Sequence, residues 1–223
     1  MILSKDNNFL LLKNQKVGGT SLEVELSMVL PENAIITPRT SSDPEWAIKN
    51  EKIFLNYKPR NYKGFHNHMS YSDIQNKVNL KNIKSYVFVR NPYDAVLSHF
   101  FHRLYFIDKN NVWNELKQKE KNNLTNKYFN NELGWSWHTS NKYIYLSKEN
   151  KIQVDEILFY ENGIELEINK ILPKHSIPNI KITAQEKAFR PKNIKPEDVF
   201  SKTQLQKIYS EWNWEFNEFG YKK

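Results

Sequence analysis

The chain has 223 residues and no cysteine, and its 33 Lys and Arg against 25 Asp and Glu give a formal charge of +8. That length supports a single domain with a real core, and the missing cysteine excludes a disulfide framework, a thiolate metal site and a cysteine nucleophile. The charge favours an anionic partner (nucleic acid, a membrane surface, or a phosphorylated or sulfated small molecule) and equally fits basic residues that are only solvated surface.

Aromatic residues at 14% argue against disorder. No apolar run is long enough to span a membrane, and Phe9–Leu12 is too short for a signal-peptide core. The chain therefore reads as cytoplasmic. In chain order, Phe9–Leu12 is an unbroken apolar run that suits a strand buried on both faces. A turn with adjacent Gly18 and Gly19 follows, in a chain with only 6 Gly. Leu22, Val24, Leu26, Val29 and Leu30 then predict an amphipathic helix up to Pro31. Short strands are predicted at Ala34–Thr37 and Lys52–Tyr57, with loop between them. Ser70–Asp73 opens a short helix.

Tyr86–Val89 is the strongest strand signal, and Pro92 starts a helix with Val96, Leu97, Phe100, Phe101 and Leu104 on its apolar side. Residues 108–132 are polar and helical in part. Asp155–Tyr160 is a late strand, followed by a helix to Leu172, and residues 173–199 are loop-rich. A last helix starts near Ser201 or Thr203, with Ser201 and Gln204 forming a capping box. Its stripe of Leu205, Ile208, Tyr209, Trp212, Phe216 and Phe219 reads as core, and Gly220 as its stop. Strands alternating with helices predict an α/β fold of three layers, a central and mainly parallel sheet flanked by helices.

Two segments carry chemistry. In Lys16-Val17-Gly18-Gly19-Thr20-Ser21, glycines permit close backbone approach, and a helix N-terminus offers free N–H groups and its positive dipole end. Hydroxyls and a lysine complete a phosphate cradle. A tight turn with a surface lysine is the plainer reading. In Val89-Arg90-Asn91-Pro92-Tyr93-Asp94-Ala95-Val96-Leu97-Ser98, Arg90 ends a strand, where α/β folds bind ligands. Ser98 lies about two helical turns on, so the pair can grip one phosphate. The plainer reading pairs Arg90 with Asp94 and buries Ser98.

In this order the two segments resemble those of sulfotransferases that use 3′-phosphoadenosine-5′-phosphosulfate (PAPS), especially the Golgi-type and bacterial carbohydrate branch. Three weaker likenesses accompany them: Asn67–Ile74 around His68, Ile157–Asn162 with its Tyr-Glu-Asn ending, and Glu215–Tyr221. Ala95 stands where that family often has Arg, and the family's Asn-containing loop is not clear between residues 180 and 192.

The resemblance implies a P-loop-like fold over residues 1–223 and transfer of a sulfuryl group from PAPS to an acceptor hydroxyl, leaving PAP, with no metal. Lys16, Val17, Gly18, Gly19, Thr20 and Ser21 would hold the 5′-phosphosulfate, with Lys16 stabilising the departing phosphate. Arg90 and Ser98 would bind the 3′-phosphate, with Arg190 and Lys192 adding charge. The base candidates are His68, on the family's His segment, His66 and Glu161. A carboxylate ending a strand equally suits bracing the cofactor loop. Trp135, Trp137, His138 and Tyr143 are candidates to line a cleft for a glycan or other small-molecule acceptor, and packing in the core serves equally for each.

Two other functions stay open. A small-molecule P-loop kinase fits the glycine turn, but the usual Lys after the last glycine is absent. A nucleic-acid binder fits only the charge, and no nucleic-acid module is recognisable.

Overall fold

The computed structural model describes residues 1–38, 57–107, 113–133, 135, 141–183 and 190–222. The predicted strand at Lys52–Tyr57 lies outside them except for Tyr57. The chain divides into two compact units, Met1–Val89 with Lys142–Glu186 and Arg90–Asn141 with Lys187–Lys223. The strands are β1 (Ile2–Ser4), β2 (Phe9–Leu12), β3 (Ile35–Ile36), β4 (Lys84–Val89) and β5 (Glu156–Phe159). The helices among the described residues are α1 (Gly19–Val29), α2 (Tyr71–Gln75), α3 (Pro92–Ile107), α4 (Gln118–Phe129), α5 (Ile164–Ile171), α6 (Pro196–Val199), α7 (Lys202–Glu211) and α8 (Asn213–Glu218). None of them is long and apolar enough to cross a membrane.

The first unit is built on the five strands, in the order β3-β1-β2-β4-β5. β2, β4 and β5 pair in parallel, while β1 is antiparallel to β2 and β3. Four strands thus share one direction and β1 opposes them. The fold is α/β with a mixed, mainly parallel sheet flanked by helices, as the alternating pattern predicts. The hairpin of β1 with β2 is an addition to that expectation. Ile2–Ser4 is too short to show a period, and its turn closes through Asn8 at φ 50°.

Leu22 and Leu26 of α1 and Ile168 and Ile171 of α5 share one core with Phe9, Leu11, Tyr86, Phe88 and Leu158. The alternate residues Leu10, Leu12, Val87 and Val89 are buried too. Both faces of these strands are covered, which is why they read as unbroken apolar runs. Arg60 closes the C-terminal end of α1, donating to the carbonyls of Ser27, Leu30 and Pro31 at 3.0, 2.8 and 3.0 Å. The Ser27 and Leu30 carbonyls are among those that a helix end leaves for other donors.

In the second unit, Val96, Leu97, Phe100, Phe101 and Leu104 of α3 form a core with Tyr128, Phe129, Phe200, Ile208, Trp212 and Phe216. Asn91 caps α3, its side-chain oxygen accepting from the Tyr93 N–H at 3.0 Å. The predicted last helix is two, α7 and α8, with Trp212 at φ −106° and ψ 22° between them. The bonds Trp212 N–H to Ile208 carbonyl and Phe216 N–H to Trp212 carbonyl persist, so the chain bends rather than stops. The bend lets Ile208, Trp212 and Phe216 all reach that core. The capping box of Ser201 and Gln204 forms as expected.

Left-handed backbone occurs at Asn8, Asn61, Asn82, Asn131, Asn150 and Asn193, at Ser176, and at Lys16 and His68. Asparagine tolerates this region because its short amide bonds locally. Gly18 is there as well, at φ 70°, and a Cβ on it would sit 2.3 Å from the Ile164 Cδ1 of α5. Gly18→Ala therefore meets both strain and overlap, and a urea titration should show a loss of about 1–3 kcal/mol. The loss should shrink in an Ile164→Ala background, where the overlap is gone. An unchanged midpoint for the single variant would remove the packing reason for glycine here.

Candidate active site

The turn between β2 and α1 is held from three sides. Lys13 and Asn14 are buried at its start. The Asn14 amide donates to the Phe88 carbonyl of β4 at 3.1 Å, and its oxygen accepts from the Gln15 N–H at 2.8 Å. Val17 is buried, and Lys16 is half-buried in left-handed backbone at φ 57°. Gly19 rests on the Lys13 stem, since a Cβ there would lie 3.0 Å from Lys13 Cγ. The two glycines are thus explained by packing inside the protein.

What remains for a ligand is the start of α1. No side chain caps it and its first turn carries no acidic residue. Its first N–H groups and the positive end of its dipole are therefore not neutralised locally. Thr20 and Ser21 are buried in this turn, and their hydroxyls make no hydrogen bond among the described residues.

Beneath the turn lies a buried ion pair. The Lys13 ammonium contacts one oxygen of Glu23, and the Met1 amino group lies 3.0 Å from the other. Burial alone would push the Glu23 carboxyl up, but the two cations outweigh it and hold it below the usual range. The Lys13 carbonyl lies 2.7 Å from Nδ1 of His68. A carbonyl only accepts, so Nδ1 carries the hydrogen and Nε2 presents its lone pair. Burial first, and then the Lys13 ammonium, push the His68 pKa down to about 3. The ring is neutral at physiological pH. His66 is exposed, its Nδ1 within 2.8 Å of the Asn67 carbonyl.

In the second unit, Arg90 donates through Nε and Nη2 to one oxygen of Asp94, at 2.7 and 2.5 Å. Arg190 donates to the other oxygen. The plainer reading of Arg90, a pair with Asp94, is therefore realised, and Arg190 joins it. Burial raises the Asp94 pKa, but Arg90 and Arg190 together leave it below the usual carboxylate range. One carboxylate thus holds two guanidiniums. Ser98 is half-buried on α3 and its hydroxyl makes no hydrogen bond among the described residues. Lys192 is exposed.

The acceptor candidates part company. Trp135 is core, with ring centroids 4.6 Å from Phe129 and 5.4 Å from Trp212. A ring buried there is not presented to an acceptor. Trp137 and His138 lie outside the described residues. Tyr143 is half exposed, and the Gln15 side chain of the glycine turn hydrogen-bonds its hydroxyl. Glu161 is exposed on the single 3-10 turn Tyr160–Asn162 that follows β5.

Sequence reasoning passed over Lys13, Asn14 and Glu23. They flank the glycine turn as ordinary polar residues, and only the fold reveals that they are buried. With this geometry in hand, the comparisons add one match. A family model described as the sulfotransferase family matches residues 1–222. No curated protein and no solved structure matches.

The neutral His68 has a consequence for stability. Its proton affinity falls from an unfolded pKa of about 6.5 to about 3. Between those values the unfolded chain binds the extra proton, so stability drops as pH falls through that window. Urea midpoints of wild type and His68→Gln, at about pH 7 and about pH 4.5, should converge on acidification as wild type loses this contribution. Parallel pH dependence in the two proteins would overturn the neutral assignment.

Proposed function

The chain belongs to the sulfotransferase family and transfers sulfuryl groups, and from that premise we propose that its donor is PAPS and its acceptor a hydroxyl on a carbohydrate or other small molecule. The observation that carries the reading is the start of α1, uncapped and free of acid, directly after the Lys16 turn. Helix starts of this kind bind anionic phosphate groups. The residues present suit such a donor. PAPS supplies the sulfuryl group and its departing nucleotide phosphate.

The chain's own part is to bind, orient and neutralise. Backbone N–H groups and hydroxyls of Gly19, Thr20 and Ser21 hold the 5′-phosphate end. Lys16 offsets the negative charge that builds there. Arg90 and Ser98 hold the 3′-phosphate, with Arg190 drawn to the same group by Asp94. Nε2 of His68, with its lone pair free, takes the proton of the acceptor hydroxyl. Its low pKa belongs to the ligand-free chain, and an anion bound nearby raises the affinity of an imidazole for a proton. Tyr143, beside Gln15, offers an aromatic face to the acceptor.

Calorimetry with PAP tests the donor. Wild type should bind it, and Arg90→Ala should weaken binding roughly tenfold or more while affecting AMP less. Equal losses for both nucleotides would remove the 3′-phosphate assignment, and no binding by folded wild type would remove PAPS. A screen of sugars, glycolipids, phenols and peptides with labelled PAPS identifies the acceptor. His68→Ala should then abolish transfer with PAP affinity nearly intact. Full activity in that variant would move the base elsewhere.

A further inference from the structure

Lys13 has no part in the chemistry above. Its side chain is 7% exposed and committed to Glu23, so its ammonium cannot meet a substrate. Yet two of its groups touch the candidate site, and a third acts on it through its charge. Its stem supports Gly19, the first residue of α1. Its carbonyl holds Nδ1 of His68 at 2.7 Å. Its ammonium is one of two cations, with the Met1 amino group, that act on His68 against the single carboxylate of Glu23. A proton added to His68 would be a further positive charge beside the Lys13 ammonium. A buried ion pair adds little stability over an apolar pair of the same size.

We propose that Lys13 is a positioning residue that ties the start of α1 to His68, fixing the imidazole with Nδ1 protonated and Nε2 bare. The proposal rests on the reading of His68 as the base and adds to it what prepares that base. It predicts that the glycine turn and the histidine are not independent. A change in the Lys13 side chain alters His68 without touching the imidazole.

Nitrogen-edited NMR of the His68 ring in the full chain tests it without an acceptor. In wild type the hydrogen should be on Nδ1, and the ring should stay neutral down to about pH 4. Lys13→Met keeps most of the stem and removes the cation. Its His68 midpoint should rise by about one pH unit or more. Lys13→Arg, which restores a cation, should bring it back toward wild type. An unmoved midpoint in Lys13→Met would overturn the proposal. So would a wild-type ring protonated on Nε2, or one titrating near 6.5. If Lys13→Met does not fold, the wild-type tautomer and midpoint decide alone. Calorimetry with PAP on the same samples separates the two levels. Absent PAP binding with the expected His68 behaviour removes the donor and leaves Lys13 standing.

Discussion

The first unit depends on one constraint, that the chain must pass from a strand buried on both faces to a helix with an uncapped start in the six residues 13–18. It does so over the buried contact of Lys13 with Glu23, one residue from the end of the strand and one from inside the helix. Around that contact the restraints accumulate. Asn14 is tied to the central strand, Gly19 lies on the lysine stem, and Gly18 turns left-handed against Ile164. Removing one partner of such a pair typically costs about 3–5 kcal/mol, because the other is left charged and buried. The pair works as a fixed joint, and the geometry of the turn is inherited from it. A turn held this way is ready before any ligand arrives, which avoids reorganisation at the moment of reaction.

The second unit solves a similar problem with the charges reversed. There a single carboxylate, Asp94, lies between two guanidiniums. Arg90 is separated from it by one helical turn, while Arg190 comes from a distant part of the chain. Both cations are oriented by an anion the protein supplies. Here part of the +8 carried by the chain has direction and not only magnitude.

Most of the framework was legible in the sequence because it rests on local patterns. The runs at Phe9–Leu12 and Tyr86–Val89 are apolar throughout, since both faces are buried. The period of α3 and the capping box at Ser201 follow from helix geometry alone. What was not legible depends on distant partners. Ile2–Ser4 becomes a strand only because Phe9–Leu12 and Ile35–Ile36 lie beside it. The bend at Trp212 is set by a core that draws residues from α3, α4 and α7. The glycine pair was readable as a special turn, but its reason, contact with Ile164 and Lys13, was not. Trp135 shows the limit for side chains, because an aromatic residue among polar neighbours looks the same in sequence whether it faces a cleft or a core. Lys13 and Glu23 are the clearest case, since burial of a charged residue leaves no mark on its neighbours.

Six asparagines in left-handed backbone among the described residues change what the shortage of glycine means. A chain with 6 Gly has not given up sharp turns; it makes several of them with a residue that carries a side chain. Each such position costs some local strain when folded, but it roams less of conformational space when unfolded than glycine would. Folding at those turns therefore surrenders less disorder. The effect belongs to the denatured ensemble, so it leaves no trace in any contact of the native protein.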